Sequence, residues 1–164
     1  MLRWLVYSAV VLAAAIVAVV IVGYLLPVRH EASVEARFDR PPAQVFAAIT
    51  DVERYDEWRP DVSRVELLSP PPRTRWKESG SNGDITFEVE EAVPPLRVRT
   101  RIADPSLPFG GTWTYELSPD GPGTRVRITE HGEVYNPLFR FMSRFVFGHT
   151  ATMNAYLDAL GKRL

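Results

Sequence analysis

Two carboxylates and a histidine are the side chains best placed for chemistry in this 164-residue chain. Glu130 stands in the run Val126-Arg127-Ile128-Thr129-Glu130-His131-Gly132-Glu133-Val134. Unbroken alternation puts Val126, Ile128, Glu130, Gly132 and Val134 on one face, turning the carboxylate toward the covered side of a sheet. A carboxylate there is costly unless it is partnered or neutral, and its pKa rises. It is then a polar anchor for a ligand or a general acid or base. The structural alternatives are a bulge that returns it to the sheet edge, or a bond to a backbone amide. Glu78 raises the same question, because it shares a face with Trp76. His149 lies four residues after Phe145 and four before Met153, on one helical stripe. It is either a satisfied core histidine or a donor facing a pocket. Tyr115 is a third acid/base candidate beside Glu130 and His149. His131 alternates outward next to Arg125 and Arg127, and His30 falls in a linker.

Several chemistries are missing. With no cysteine there is no thiol nucleophile, disulfide or Cys-based zinc site. No two histidines stand at i, i+4, and no His/carboxylate spacing resembles a metal-ligand motif, so neither metal nor cofactor is expected. There is no Gly-x-Ser-x-Gly elbow, and Gly110-Gly111 lacks the lysine and spacing of a phosphate loop. A net charge of -1 argues against a nucleic-acid partner. The 17 arginines against 2 lysines fit a GC-rich coding genome.

The elements that must carry these residues follow from periodicity. Residues 33–38 alternate as a half-buried strand, and Pro41-Pro42 then opens a helix bearing Val45, Phe46 and Ile49. Thr50-Asp51 is placed to cap a second short helix with Val52, Tyr55 and Trp58. Six strand-length segments follow at 62–68, 74–79, 84–92, 96–103, 112–117 and 124–134, separated by turn signals such as Gly80-Ser81-Asn82-Gly83. Period-2 alternation of this kind means an antiparallel sheet with one covered face. From Pro137 the period becomes 3.6, and Leu138, Phe141, Met142, Phe145, Met153, Tyr156, Leu157, Leu160 and Leu164 predict a helix of about 25 residues with a weak point at Gly148. Trp58, Trp76, Phe87, Trp113 and Tyr115 fall at inward or rim positions around the hollow between sheet and helix. Outward, Arg97, Arg99 and Arg101, Arg125 and Arg127, and Arg73, Arg75 and Lys77 invite cross-strand pairing with Glu88, Glu90 and Glu116, or contact with anionic lipid headgroups.

Two stretches carry a family resemblance: Pro41-Pro42-Ala43-Gln44-Val45-Phe46-Ala47-Ala48-Ile49-Thr50-Asp51 with Tyr55 and Trp58-Arg59-Pro60, and Gly111-Thr112-Trp113-Thr114-Tyr115-Glu116-Leu117 with Gly123-Thr124-Arg125-Val126-Arg127-Ile128-Thr129-Glu130. Through them residues 31–164 resemble the START-like, birch-pollen-allergen-like helix-grip superfamily (SRPBCC), in its polyketide cyclase/dehydrase and lipid transport branch. The resemblance implies an α+β helix-grip fold, with a curved antiparallel sheet of about seven strands around a long C-terminal helix and two short helices after the first strand. It also implies a pocket for an apolar small molecule or lipid. Trp58, Trp76, Glu78, Phe87, Trp113, Tyr115, Glu130, Phe145, His149 and Met153 are the expected ligand contacts.

Ahead of this domain, Trp4 to Leu26 is an uncharged stretch in which only Ser8 and Gly23 fall outside the hydrophobic set. At 1.5 Å per residue it spans roughly 34 Å, enough for a hydrocarbon core. It is too long for a signal-peptide core, and Gly23-Tyr24-Leu25-Leu26-Pro27 is a poor cleavage site. The chain therefore reads as an anchor at 1–27, a linker at 28–32 and a domain at 33–164. The expected address is a bacterial plasma (inner) membrane crossed once. Arg29, Arg37 and Arg40 against Arg3 would keep the domain inside, whereas the signal-like first residues export it; the reading leans to the non-cytoplasmic side. The expected function is a membrane-anchored binding module for a lipid or other apolar small molecule. The alternative is a cyclase/dehydratase- or hydrolase-type enzyme using Glu130 and His149 as acid and base.

Overall fold

The computed structural model describes residues 2–164. A long apolar helix, α1 (Leu2–Leu25), precedes β1 (Arg29–Phe38), α2 (Pro42–Thr50), a 3-10 turn (Val52–Arg54) and α3 (Tyr55–Trp58). Six strands follow: β2 (Val62–Ser69), β3 (Arg75–Gly80), β4 (Gly83–Val93), β5 (Arg97–Ile102), β6 (Phe109–Asp120) and β7 (Gly123–Val134). The chain ends in α4 (Pro137–Met142), a π-helical turn (Ser143–Phe147) and α5 (Ala151–Arg163).

The seven strands form one curved antiparallel sheet in the order β1-β7-β6-β5-β4-β3-β2. β2 to β7 run as a meander, and β1 closes onto β7, so α2 and α3 carry the chain from one edge of the sheet to the other. The concave face is covered by α5, whose Met153, Tyr156, Leu157 and Leu160 share one core with Val98, Tyr115, Leu117, Val126 and Ile128. Val45, Phe46 and Ile49 of α2 enter the same core, as their helical spacing requires. This is the α+β helix grip implied by the sequence.

Three expectations change in detail. The stretch 28–32 is not free linker, because β1 starts at Arg29 and pairs in continuous register with β7 from Arg29↔Glu133 to Phe38↔Thr124. Asp51 makes no side-chain cap; Thr50 bonds back to the Phe46 carbonyl at 2.9 Å instead, the competing bond open to a hydroxyl in a last helical turn. The C-terminal helix is not continuous over about 25 residues. It breaks at Gly148, whose φ of 74° and ψ of 169° are a conformation open essentially to glycine alone. Of the segment after Pro137, α5 is the part that enters the core, and of the apolar stripe before the break Leu138 and Phe145 are exposed.

Among the described residues the outward arginines are paired, Arg73 excepted. Arg99 meets Glu90 at 3.0 Å, Arg101 meets Glu88 at 2.7 Å, Arg97 meets Glu91 at 2.6 Å, and Arg125 and Arg127 both reach Glu35. Lys77 pairs with Asp84 and Arg75 with Glu88. Glu116, an expected partner, takes no ion pair among those of the described residues. Glu116 stands opposite both Arg97 and Arg127 in the register, yet these arginines bond Glu91 and Glu35 instead.

Candidate functional site

Between sheet and helices lies a cavity of about 410 Å³, with a carboxylate gripped by an indole in each of two places. The first grip is local. Trp76 and Glu78 alternate onto the inner face of β3, and the Trp76 indole N–H donates to Glu78 Oε1 at 2.8 Å. Arg59, in the loop after α3, donates to the same oxygen at 3.0 Å and to Asp61 Oδ2 at 2.7 Å. Its guanidinium carbon also sits 5.0 Å from the centre of the Tyr55 ring and 5.4 Å from that of Tyr156. The Arg59 and Glu78 side chains are only 11% and 9% exposed. Burial raises the Glu78 pKa, and Arg59 and Trp76 partly offset the rise. Burial also works against the Arg59 charge, yet the facing Glu78 and Asp61 carboxylates hold its pKa above the ordinary value. The three tyrosines beneath stay phenols. Burial pushes Tyr55 up to about 12 and raises Tyr115 and Tyr156 well above 10.0.

The second grip is assembled across strands. β7 keeps unbroken register with β6 and β1, so Glu130 faces inward, directly opposite Trp113. Trp113 donates its indole N–H to Glu130 Oε2 at 2.8 Å, and His30 Nε2 bonds Oε1 at 3.0 Å. His30 projects from β1 opposite Gly132. A Cβ on Gly132 would overlap the His30 ring and crowd the Glu130 carboxylate, so the glycine is what leaves room for the pair. The His30 ring in turn stacks on His149, with centroids 3.8 Å apart and planes 24° from parallel. His149 Nδ1 lies 3.0 Å from Ser143 Oγ. Burial, and then the neighbouring His30, lower the His149 pKa. The series Trp113–Glu130–His30–His149–Ser143 thus joins β6, β7, β1 and the segment around the helix break. A carboxylate bonded to an imidazole in an apolar hollow can orient a polar ligand group or pass a proton to it.

Of the residues expected to face a ligand, Trp76, Glu78, Phe87, Trp113, Tyr115, Glu130 and His149 line this cavity. Three lie elsewhere. Trp58 packs edge-on against Tyr55 and Tyr156, Met153 is wholly buried in the core, and Phe145 is 59% exposed on the far side of the helix break. The broken stripe explains the last two, because α5 and the π-helical turn no longer share one face. His30, Arg59, Tyr55, Ile85, Ile102 and Phe139 line the cavity without having been singled out. For Arg59 a signal existed: an inward Glu78 requires a cationic partner, and Arg59 stands in one of the two resemblance stretches. His131, as its alternation indicated, points outward, 3.4 Å from Glu31. A separate hollow on the outward face runs among Glu35, Arg97, Glu116, Arg125 and Arg127. Its arginines are already engaged by the ion pairs described above.

Residues 29–164 match the family model described as polyketide cyclase / dehydrase and lipid transport, which takes in β1 through α5. The chain belongs to that family. Solved structures similar to it include TTHA0849 from Thermus thermophilus, at 24% identity and TM-score 0.68, covering 82% of this chain and 96% of that one. A START superfamily protein from Mycobacterium smegmatis is 16% identical with TM-score 0.65 over 82% and 96% of the two chains. The di-domain aromatase/cyclase StfQ from the steffimycin biosynthetic pathway is 12% identical with TM-score 0.67, over 82% of this chain and 50% of that one. No curated protein matches the chain. At these identities the solved structures share the fold. Polyketide cyclase/dehydrase and lipid transport family membership is consistent with the cavity, and α1 is an addition outside the matched residues.

Proposed function

We propose that this protein is a membrane-anchored binding module that holds a lipid or other apolar small molecule between the sheet and α5. The observation that carries it is the cavity, whose 410 Å³ falls within the size range of small-molecule pockets. Its walls join Trp76, Phe87, Trp113, Ile85 and Ile102 with a few polar groups gathered in two clusters. An apolar ligand with a hydroxyl, carbonyl or similar group at one end fits this division. The anchor is α1, in which the span Arg3–Leu25 is strongly apolar and, Gly23 apart, exposed or half-exposed. Helices of this length and composition leave water only by entering a bilayer or another apolar partner.

The test uses the full chain purified in detergent. Solvent extracts are examined by mass spectrometry for co-purifying molecules, and an apolar fluorescent probe is titrated against the emptied protein. Saturable probe binding is expected for the wild type. Ile85→Trp and Ile102→Trp, which fill the hollow, are expected to abolish it while the fold persists by circular dichroism. Unchanged binding in both variants removes the cavity as the site.

One observation favours a second reading. The 3.0 Å contact between His30 and Glu130, with His149 stacked behind, is a carboxylate–imidazole pair suited to acid/base catalysis of the cyclase/dehydratase or hydrolase type. His30, not His149, is the direct partner of Glu130. A binding module returns its extracted ligand unaltered on incubation. An enzyme converts it, and Glu130→Gln stops the conversion.

A further inference from the structure

The last turn of α1 is in contact with the domain. Gly23 is buried against the backbone of Pro137, the first residue of α4, and any Cβ there would overlap the Pro137 carbonyl. Small residues are what allow two helix backbones to approach so closely. Arg140, one turn into α4, donates to the Leu26 carbonyl at 2.9 Å and to the Tyr135 carbonyl at 3.3 Å. Its guanidinium carbon lies 5.9 Å from the centre of the Tyr24 ring. One arginine therefore ties the end of α1, the end of β7 and α4 together.

This contact sets a depth. If α1 spans a bilayer, its 23-residue apolar span about matches the hydrocarbon thickness, and Gly23 lies within roughly 5 Å of the end of the span. Whatever touches Gly23 is then at the membrane surface. The segment held there is unusually apolar on its outside: Leu138, Phe139, Phe145 and Val146 are 47–59% exposed. Asn136 satisfies the first amides of α4, accepting from Leu138 and Phe139, so little polar backbone is left to oppose insertion. Arg144 is exposed beside these residues, with a stem long enough to reach headgroups. The same segment forms one rim of the cavity, through Phe139, Ser143, Gly148 and His149.

We propose that α4 and the π-helical turn rest in the interface of the bilayer that α1 crosses, clasped there by Gly23, Pro137 and Arg140, with the cavity rim facing the lipid. The inference rests on the reading of α1 as an anchor. The partner is the lipid surface itself, the one apolar phase that the end of α1 and these exposed side chains reach together.

The native chain has no cysteine, so single cysteines are unique labelling points. Ala14→Cys reports the middle of α1, Val146→Cys the π-helical turn, and Ser118→Cys the distant end of β6. Each full-length variant is labelled with an environment-sensitive fluorophore and reconstituted into phosphatidylcholine vesicles containing lipids with a nitroxide either high on the acyl chain or near its end. Quenching is expected at Ala14 and Val146 and not at Ser118. Adding Gly23→Leu or Arg140→Ala is expected to remove most of the Val146 quenching and leave that of Ala14. If Ala14 is quenched while Val146 matches Ser118, the interfacial placement is overturned and the anchor stands. If Ala14 is not quenched, the anchor fails and this inference with it. Val146 quenching that survives both clasp substitutions overturns the clasp.

Discussion

His149 is held by Ser143 on one side and by the His30 ring on the other, with Glu130 and Arg144 the charged groups that act on it. Its pKa is below the ordinary 6.5, chiefly through burial. Between its folded and unfolded values the unfolded chain binds more protons, so stability falls as pH drops through and below about 6.5. Thermal denaturation of the full chain in detergent from pH 7 to pH 5 is expected to show that loss, and His149→Phe to flatten it. Glu78 has the opposite sign. Burial lifts it above 4.5, so the cost of its charge is present above the folded pKa and fades as pH falls. Its partner carries a larger effect. Arg59→Leu leaves Glu78 buried and unpaired, and denaturant titration is expected to show a loss of about 3 kcal/mol, much of it recovered when Glu78→Gln is added.

Among the elements, the helix break has the most consequence. The 3.6-residue period runs on through residues 138–164 and predicts one helix there, with Gly148 as its weak point. A backbone conformation at a single glycine divides it. Gly148→Ala is expected to cost about 1–3 kcal/mol, measured by denaturant titration, because φ near 74° with ψ near 169° excludes a Cβ. The arginine rows on the outer sheet face behave differently. Arg101 and its neighbours are exposed and their pairs are screened by solvent, so Arg101→Ala is expected to lower the melting temperature less than Gly148→Ala does. The strands themselves were legible in the sequence to within a few residues, because each has one wet and one covered face. β1 was the exception at its start. Arg29 to Ala32 alternates too weakly in hydrophobicity to mark a strand, and only the pairing with β7 reveals it.

At the level of the molecule, a helix grip and an apolar helix meet where α1 touches α4, and both cavity and joint converge on α4 and the turn after it. That convergence links what fills the hollow to where the domain sits. The inward aim of Glu78 and Glu130, the helix-grip order of elements and the apolar length of α1 are all written along the chain, because each depends on residues adjacent or periodic in it. The tertiary structure decided which groups those carboxylates meet. His30 and Glu130 are separated by 100 positions, and their contact exists only because β1 closes onto β7 in one register. Alternation tells a side chain which way to point; the register between distant strands tells it what it will find there.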